Sequence, residues 1–159
     1  MSGLWGAEMI FRQKKGAFVV VPQTIVDAAL GFQCPPFDTA EAGGILIGQY
    51  RGPHVELVGC TLPLRGDVRT RFGFERGDAG HAARAKEAWE RSGRVQTFVG
   101  EWHTHPEDHP MPSHVDLRTW DRLRVRLRDD PLVFMIFGRV GIWCGLGLRE
   151  DLTSLDLVG

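Results

Sequence analysis

A chain of 159 residues, 43% hydrophobic and 25% charged, is long enough to bury a core as one domain without disulfide staples. Its net charge of −1 gives no general attraction to nucleic acid or to a membrane surface, and no apolar run approaches the roughly 18 residues of a spanning helix. Composition excludes disorder and repeat architectures, and the first ten residues lack the basic-then-apolar pattern of a secretory leader, so a single cytoplasmic domain over 1–159 is expected.

Residues 5–12 and 17–21 flank Lys14-Lys15-Gly16 and read as a hairpin. Pro22, at a first-turn position, opens a short helix through Leu30, which Cys34-Pro35-Pro36 ends. Two β-rich runs, Gly43 to Tyr50 and His54 to Leu62, flank Arg51-Gly52-Pro53 as a second hairpin, and the continuous Ile45-Leu46-Ile47 marks the first run as a central strand. Arg65 to Gly80 is rich in glycine and arginine and reads as loop, with one short strand over 71–75. Ala82, Ala85, Ala88 and Trp89 keep helical spacing through 79–92 until Gly93, and a strand follows over 95–102. Beyond a proline-bearing loop at 107–112, Ser113 starts a helix to Arg128 with Asp116, Trp120, Leu123 and Leu127 on its inner face. Residues 132–137 and 140–148 form a last hairpin, and 152–158 adds an edge strand. Strands interleaved with three helices predict an α/β domain, a mixed sheet covered by helices. Cys34, Cys60 and Cys144 have no metal-site spacing and read as buried apolar residues.

Chemistry concentrates at His-Thr-His-Pro. In a strand, side chains at i and i+2 project to one face, so His103 and His105 can converge on one ion. The pair alone is a weak signal. Asp116 lies eleven residues after His105, in the first turn of the next helix and on its inward face. Two imidazoles and a carboxylate leave the fourth tetrahedral position of a zinc ion for water. The same three groups suit a non-haem iron oxygenase. Ser113 and Asp116, as S-x-x-D, also make a capping box, which needs no metal. His109 and His114 read as solvent-facing, and His54 and His81 have no partner in sequence.

His103, His105, Pro106, Ser113 and Asp116 together reproduce H-x-H-P, six residues, then S-x-x-D, and Glu41-Ala42 precedes the strand Gly43-Gly44-Ile45-Leu46-Ile47-Gly48. In these two motifs the chain resembles the JAMM (MPN-plus) metalloproteases; more narrowly, Arg69-Thr70-Arg71-Phe72, a helix ending near Trp89, then G-E-W-H-T-H-P at 100–106 and P-x-P-S-x-x-D-L-x-x-W at 110–120 resemble the stand-alone prokaryotic JAB proteins. The resemblance implies a three-layer α-β-α fold and one Zn²⁺ per chain held by His103, His105 and Asp116. It implies Glu41 as general base and Ser113 as a donor to the oxyanion. Glu101 stands where many relatives carry an aromatic residue, on the strand face of the histidines, and is a rival base.

The implied activity is an isopeptidase acting at the extended C-terminal tail of a ubiquitin-like or similarly conjugated protein, with Arg69, Arg71, Phe72 and Phe74 as the tail's binding segment. Such proteins are encoded beside E1- and E2-like partners in antiphage operons, and neither nucleic acid nor membrane is implied. Trimming of a sulfur-carrier C-terminus needs the same site. A metal-free relative that only scaffolds a complex would have lost the ligand residues, which are all present here.

Overall fold

The computed structural model describes residues 8–14, 16–33, 40–126 and 129–158. Residues 5–7 of the expected first strand, Lys15 of its turn, the Cys34-Pro35-Pro36 stop and the expected helix end at 127–128 lie outside them.

Strands β1 (Glu8–Arg12) and β2 (Phe18–Pro22) pair antiparallel, Phe11 opposite Val19. Pro22 ends β2 with φ −65° and so pre-sets the N-terminus of α1 (Gln23–Leu30), which needs no N–H at that position. The apolar Ile25, Val26 and Ala29 turn α1 onto one face of the sheet. Next come β3 (Gly43–Arg51) and β4 (His54–Cys60), joined across Gly52, whose φ of +58° suits glycine. β3 is apolar on both faces because both are covered. Leu46 packs into the core shared with α1, whereas Ile45 and Ile47 pack against Ala88 of α2 (Gly80–Arg91).

β7 (Thr97–Thr104) starts two residues later than expected. The Ser92 hydroxyl accepts the N–H groups of Val95 and Gln96 and holds that stretch as a turn. β7 pairs antiparallel with β3, Gly43 opposite His103, and parallel with β8 (Leu132–Phe137), which pairs with β9 (Ile142–Gly147). α3 (His114–Arg126) lays buried Trp120 on Phe134 and Trp143, at ring-centroid distances of 4.6 and 5.5 Å. The expected edge strand 152–158 is two strands, β10 (Leu152–Ser154) on β9 and β11 (Asp156–Leu157) on β1. Buried Leu155 between them donates its N–H to the Cys144 carbonyl. The nine-stranded mixed sheet thus runs β10-β9-β8-β7-β3-β4-β2-β1-β11, and one terminal segment covers both its edges. The three helices and large mixed sheet of the described residues are those of the α/β class. Among the described residues no helix is long and apolar enough to cross a membrane.

Between β4 and α2 stands a separate two-stranded hairpin, β5 (Val68–Thr70) and β6 (Gly73–Glu75). This corrects the expected strand over 71–75. Arg71 and Phe72 are its turn, because the Thr70 hydroxyl accepts the Phe72 N–H at 3.2 Å and stands in for the usual turn residues. Asp67, whose side chain is fully buried, closes the hairpin's base: its carboxylate accepts the N–H groups of Leu64, Gly77 and Asp78 and faces His81 Nε2 at 2.7 Å. Burial alone would raise its pKa, but these bonds outweigh it and hold the group at about 2. A carboxylate depressed from 3.8 contributes stability present above that value and lost as pH falls toward 2. Asp67→Asn is therefore expected to flatten the stability loss across that window. Tryptophan-fluorescence unfolding in urea at stepped pH measures it, and an unaltered slope would contradict the assignment.

Candidate metal centre

Main-chain pairing delivers the residues. Ala42 N–H donates to Thr104 Oγ1 at 2.9 Å and Thr104 N–H to the Ala42 carbonyl at 2.8 Å, which sets Glu41 beside the end of β7. Gly43 allows the approach, since a Cβ there would lie 2.5 Å from the Trp102 carbonyl and 2.6 Å from the Phe74 ring. Trp102 and Thr104, on the opposite face of β7 from His103, act as anchors, the indole Nε1–H donating to the Thr61 carbonyl at 2.8 Å.

His103 is the penultimate residue of β7, and His105 lies just past its last residue, where its N–H donates to the Phe137 carbonyl. Both rings still turn to one place. Their Nε2 atoms are 2.9 Å apart, Asp116 Oδ2 is 3.0 Å from His105 Nε2, and Asp116 Oδ1 is 3.3 Å from His103 Nε2. Ligand atoms about 2.0–2.1 Å from a tetrahedral ion sit about 3.3 Å from one another, so these three side chains fit a metal ion as they stand. Glu41 Oε1 is farther, 3.9 Å from His105 Nε2, although Glu41, His103 and His105 are also a buried group of metal-ligating type. The capping reading and the site reading of Asp116 hold together. Its Oδ2 accepts the Ser113 N–H at 2.9 Å, and Ser113 Oγ accepts the Asp116 N–H at 3.1 Å, while the carboxylate faces the histidines.

Sequence reasoning passed over Glu107, two residues beyond His105. Its Oε1 lies 2.7 Å from His105 Nδ1 and orients the ring. A carboxylate so close after a candidate ligand histidine was the available signal. Gln33 Nε2 donates to the carbonyls of His105 and Phe137, pinning the same turn.

The electrostatics favour a cation. Burial opposes a charge on His105, but Asp116 and Glu107 outweigh it and lift its pKa to about 9. Burial likewise pushes Asp116 up, yet hydrogen bonds from both histidines hold it well below the usual carboxylate range. Glu41 moves the other way: burial raises its pKa, and the two histidines only partly offset this.

A groove of about 470 Å³ opens beside the cluster, walled by β5–β6 on one side and by Val115, Thr119 and Trp120 of α3 on the other. Of the four residues expected to bind a tail, Phe74 lines this groove. Arg71 and Phe72 stand at the hairpin's exposed tip, Phe72 85% exposed. Arg69 turns inward, its Nε donating to the Glu41 carbonyl at 3.0 Å and its guanidinium lying over the Phe32 ring. Ser113 is exposed and outside the groove's walls. Glu101 lines the groove but is paired with Arg76 Nη2 at 3.2 Å. His109 and His114 face solvent. His54 and His81 do have partners: His54 Nδ1 accepts the Phe18 N–H, and His81 bridges Asp67 and Thr61. Cys144 is buried and Cys60 half-buried, and burial raises both thiols, Cys60 to about 11. Cys34 lies outside the described residues.

The sequence profile of prokaryotic homologues of the JAB domain matches residues 32–146, a span that holds every residue of the cluster. The chain belongs to the prokaryotic JAB family. A CD-NTase/cGAS isopeptidase of Vibrio cholerae serotype O1 is 36% identical over 92% of both chains. One from Escherichia coli strain TW11681 is 32% identical over 93% of this chain and 94% of its own length. A probable metalloprotease of Sinorhizobium fredii, y4qB, is 27% identical over 87% of each. The solution structure of protein DSY2949 from Desulfitobacterium hafniense shares the fold, with a TM-score of 0.56 and 19% identity over 83% of both chains. As a JAB-family member with these relatives the protein is a hydrolase, which displaces the oxygenase and scaffold alternatives.

Proposed function

We propose that the protein is a zinc isopeptidase that hydrolyses the amide bond after the C-terminal tail of a conjugated protein. His103, His105 and Asp116 hold the zinc ion, and Glu41 is the general base. The observation that carries this is the spacing: the two Nε2 atoms are 2.9 Å apart and each has one oxygen of the Asp116 carboxylate at 3.0 or 3.3 Å, with the Glu41 carboxylate set back at 3.9 Å from His105. When bound, zinc polarises a scissile carbonyl and brings the pKa of a water toward about 7.

Glu41 then takes the attacking water's proton and gives it to the departing amine, a role suited by its burial and raised pKa. Glu107 holds the His105 ring through Nδ1, which leaves Nε2 to the metal. The Ser113 hydroxyl, which accepts the Asp116 N–H and keeps its own proton to donate, is assigned to the oxyanion on its place in the motif. The groove beside β5–β6 takes the tail extended, Phe74 against it, with Arg71 and Phe72 meeting the substrate's body. The relatives' names point to a conjugated CD-NTase as the substrate; a ubiquitin-like protein as substrate, an antiphage setting with E1- and E2-like partners and a cytoplasmic location extend the proposal on the motif resemblance alone.

The test is a CD-NTase, and in parallel a ubiquitin-like protein, fused through its C-terminal residue to a reporter. The expected result is release of the reporter at the junction, about one zinc per chain by elemental analysis, cleavage lost on chelation and regained with Zn²⁺. Undiminished cleavage by fully metal-free protein would end the proposal.

A further inference from the structure

Outside the metal centre lies a second cluster of titratable side chains. Buried His81, from the first turn of α2, uses both ring nitrogens: Nε2 faces Asp67 Oδ2 at 2.7 Å, and Nδ1 faces Thr61 Oγ1 at 2.5 Å. Thr61 passes the connection on, its hydroxyl accepting the Ile45 N–H at 2.8 Å and its carbonyl accepting the Trp102 indole. The order carboxylate, imidazole, hydroxyl is that of a hydrolytic triad, but Thr61 is buried, its hydroxyl is committed to Ile45, and it does not line the groove. A buried network with every member bonded specifies a geometry.

The element it specifies is the hairpin. β5 and β6 share only three residue pairs, and a two-stranded hairpin of that size is marginal alone. Asp67 gathers both of its ends, and His81 and Thr61 fasten Asp67 to β3 and β7, the strands that place Glu41 and His103. From the fastened hairpin two bonds reach the Glu41 main chain. Glu41 N–H donates to the Thr70 carbonyl at 2.8 Å, and Arg69 Nε donates to the Glu41 carbonyl.

We propose that Asp67 and His81 are positioning residues for the reaction: they lock the β5–β6 hairpin, which through Thr70 and Arg69 fixes the main chain of Glu41 and sets one wall of the groove. The proposal rests on Glu41 being the general base. Loosening the lock misplaces the base, which lowers kcat, and widens the groove, which raises KM. A purely structural role would lower the amount of folded enzyme and leave KM where it is.

The experiment compares zinc-loaded wild type, Asp67→Asn, His81→Gln and Arg69→Gln by amide hydrogen exchange, zinc content and steady-state cleavage of the reporter fusion. Asp67→Asn and His81→Gln are expected to keep zinc, to speed exchange of the Glu41 amide about tenfold, to lower kcat about tenfold and to raise KM severalfold. Arg69→Gln removes one of the two bonds from the hairpin to Glu41 while leaving the lock and the Thr70 bond intact, and its kcat is expected to fall severalfold with a smaller change in KM. Unchanged Glu41 exchange, or kcat and KM within about twofold of wild type in the folded lock variants, overturns the proposal. Should neither lock variant fold, Arg69→Gln decides by the same exchange and kcat criteria. Cleavage that survives Glu41→Gln would sink the choice of base instead, and the exchange of the Glu41 amide would still report whether the lock holds that residue.

Discussion

Glu41→Gln is expected to keep its zinc and lose cleavage, with kcat falling about 10²–10⁴-fold, the usual worth of a positioned acid–base group. Glutamine has the shape of glutamate and cannot take a proton. The Glu41 main chain is held by Thr70 and Arg69 and its neighbour Ala42 by Thr104, so the exchanged side chain keeps its place. Zinc should stay because Glu41 stands off His105 at 3.9 Å, beyond the 3.0 Å of Asp116. Glu101→Gln is the control. Glu101 shares a strand face with His103, but Arg76 holds its carboxylate at 3.2 Å, so an effect of only a few fold is expected. Single-turnover cleavage of the reporter fusion, alongside elemental analysis, separates the cases. If Glu101→Gln is the variant that stops cleavage, the base has been misassigned.

What the sequence made legible is what local chemistry decides. Gly43-Gly44 before an apolar run marks a strand that other main chain must approach closely, and Ser113 with Asp116 marks a helix start whichever role Asp116 plays. The convergence of His103, His105 and Asp116 was legible because a strand's alternation and a helix's first turn are short-range geometries. The hairpin was missed for a local reason: Arg71-Phe72 carries no Gly, Asn or Pro, and a threonine hydroxyl supplies the turn. Other features depend on distant pairing that no window contains. His81 meets Asp67 across 14 residues and Thr61 across 20, and Arg69 reaches Glu41 across 28. A loop rich in arginine reads as a charged surface, yet this one sends Arg69 to a main-chain carbonyl. The terminal segment follows the same logic, since period-2 alternation predicts a strand without saying that Leu155 divides it between two sheet edges.

Asp116 is where capping and metal binding meet, and substitutions there tell the two apart. Asp116→Asn leaves an amide oxygen to accept the Ser113 N–H, so α3 keeps its cap, whereas the charge opposite His103 and His105 is gone. Zinc affinity is expected to fall by more than about 100-fold, because even the outer hydrogen-bond partners of metal ligands are worth about 10–100-fold. Asp116→Ala should lose as much affinity and also part of the capping box, worth about 1 kcal/mol. Ser113→Ala should lose a similar amount of stability and keep its zinc, the reverse pattern. Chelator competition for zinc and urea unfolding of the metal-free proteins measure the two effects independently. Retention of full zinc affinity by Asp116→Asn would move Glu41 into the ligand set with His103 and His105, the alternative buried grouping these side chains allow. The base would then have to come from elsewhere in the groove, where Glu101 is the carboxylate nearest in sequence to His103. Asp116→Asn and Glu41→Gln read together therefore assign ligand and base without overlap: the first should cost metal and the second only turnover.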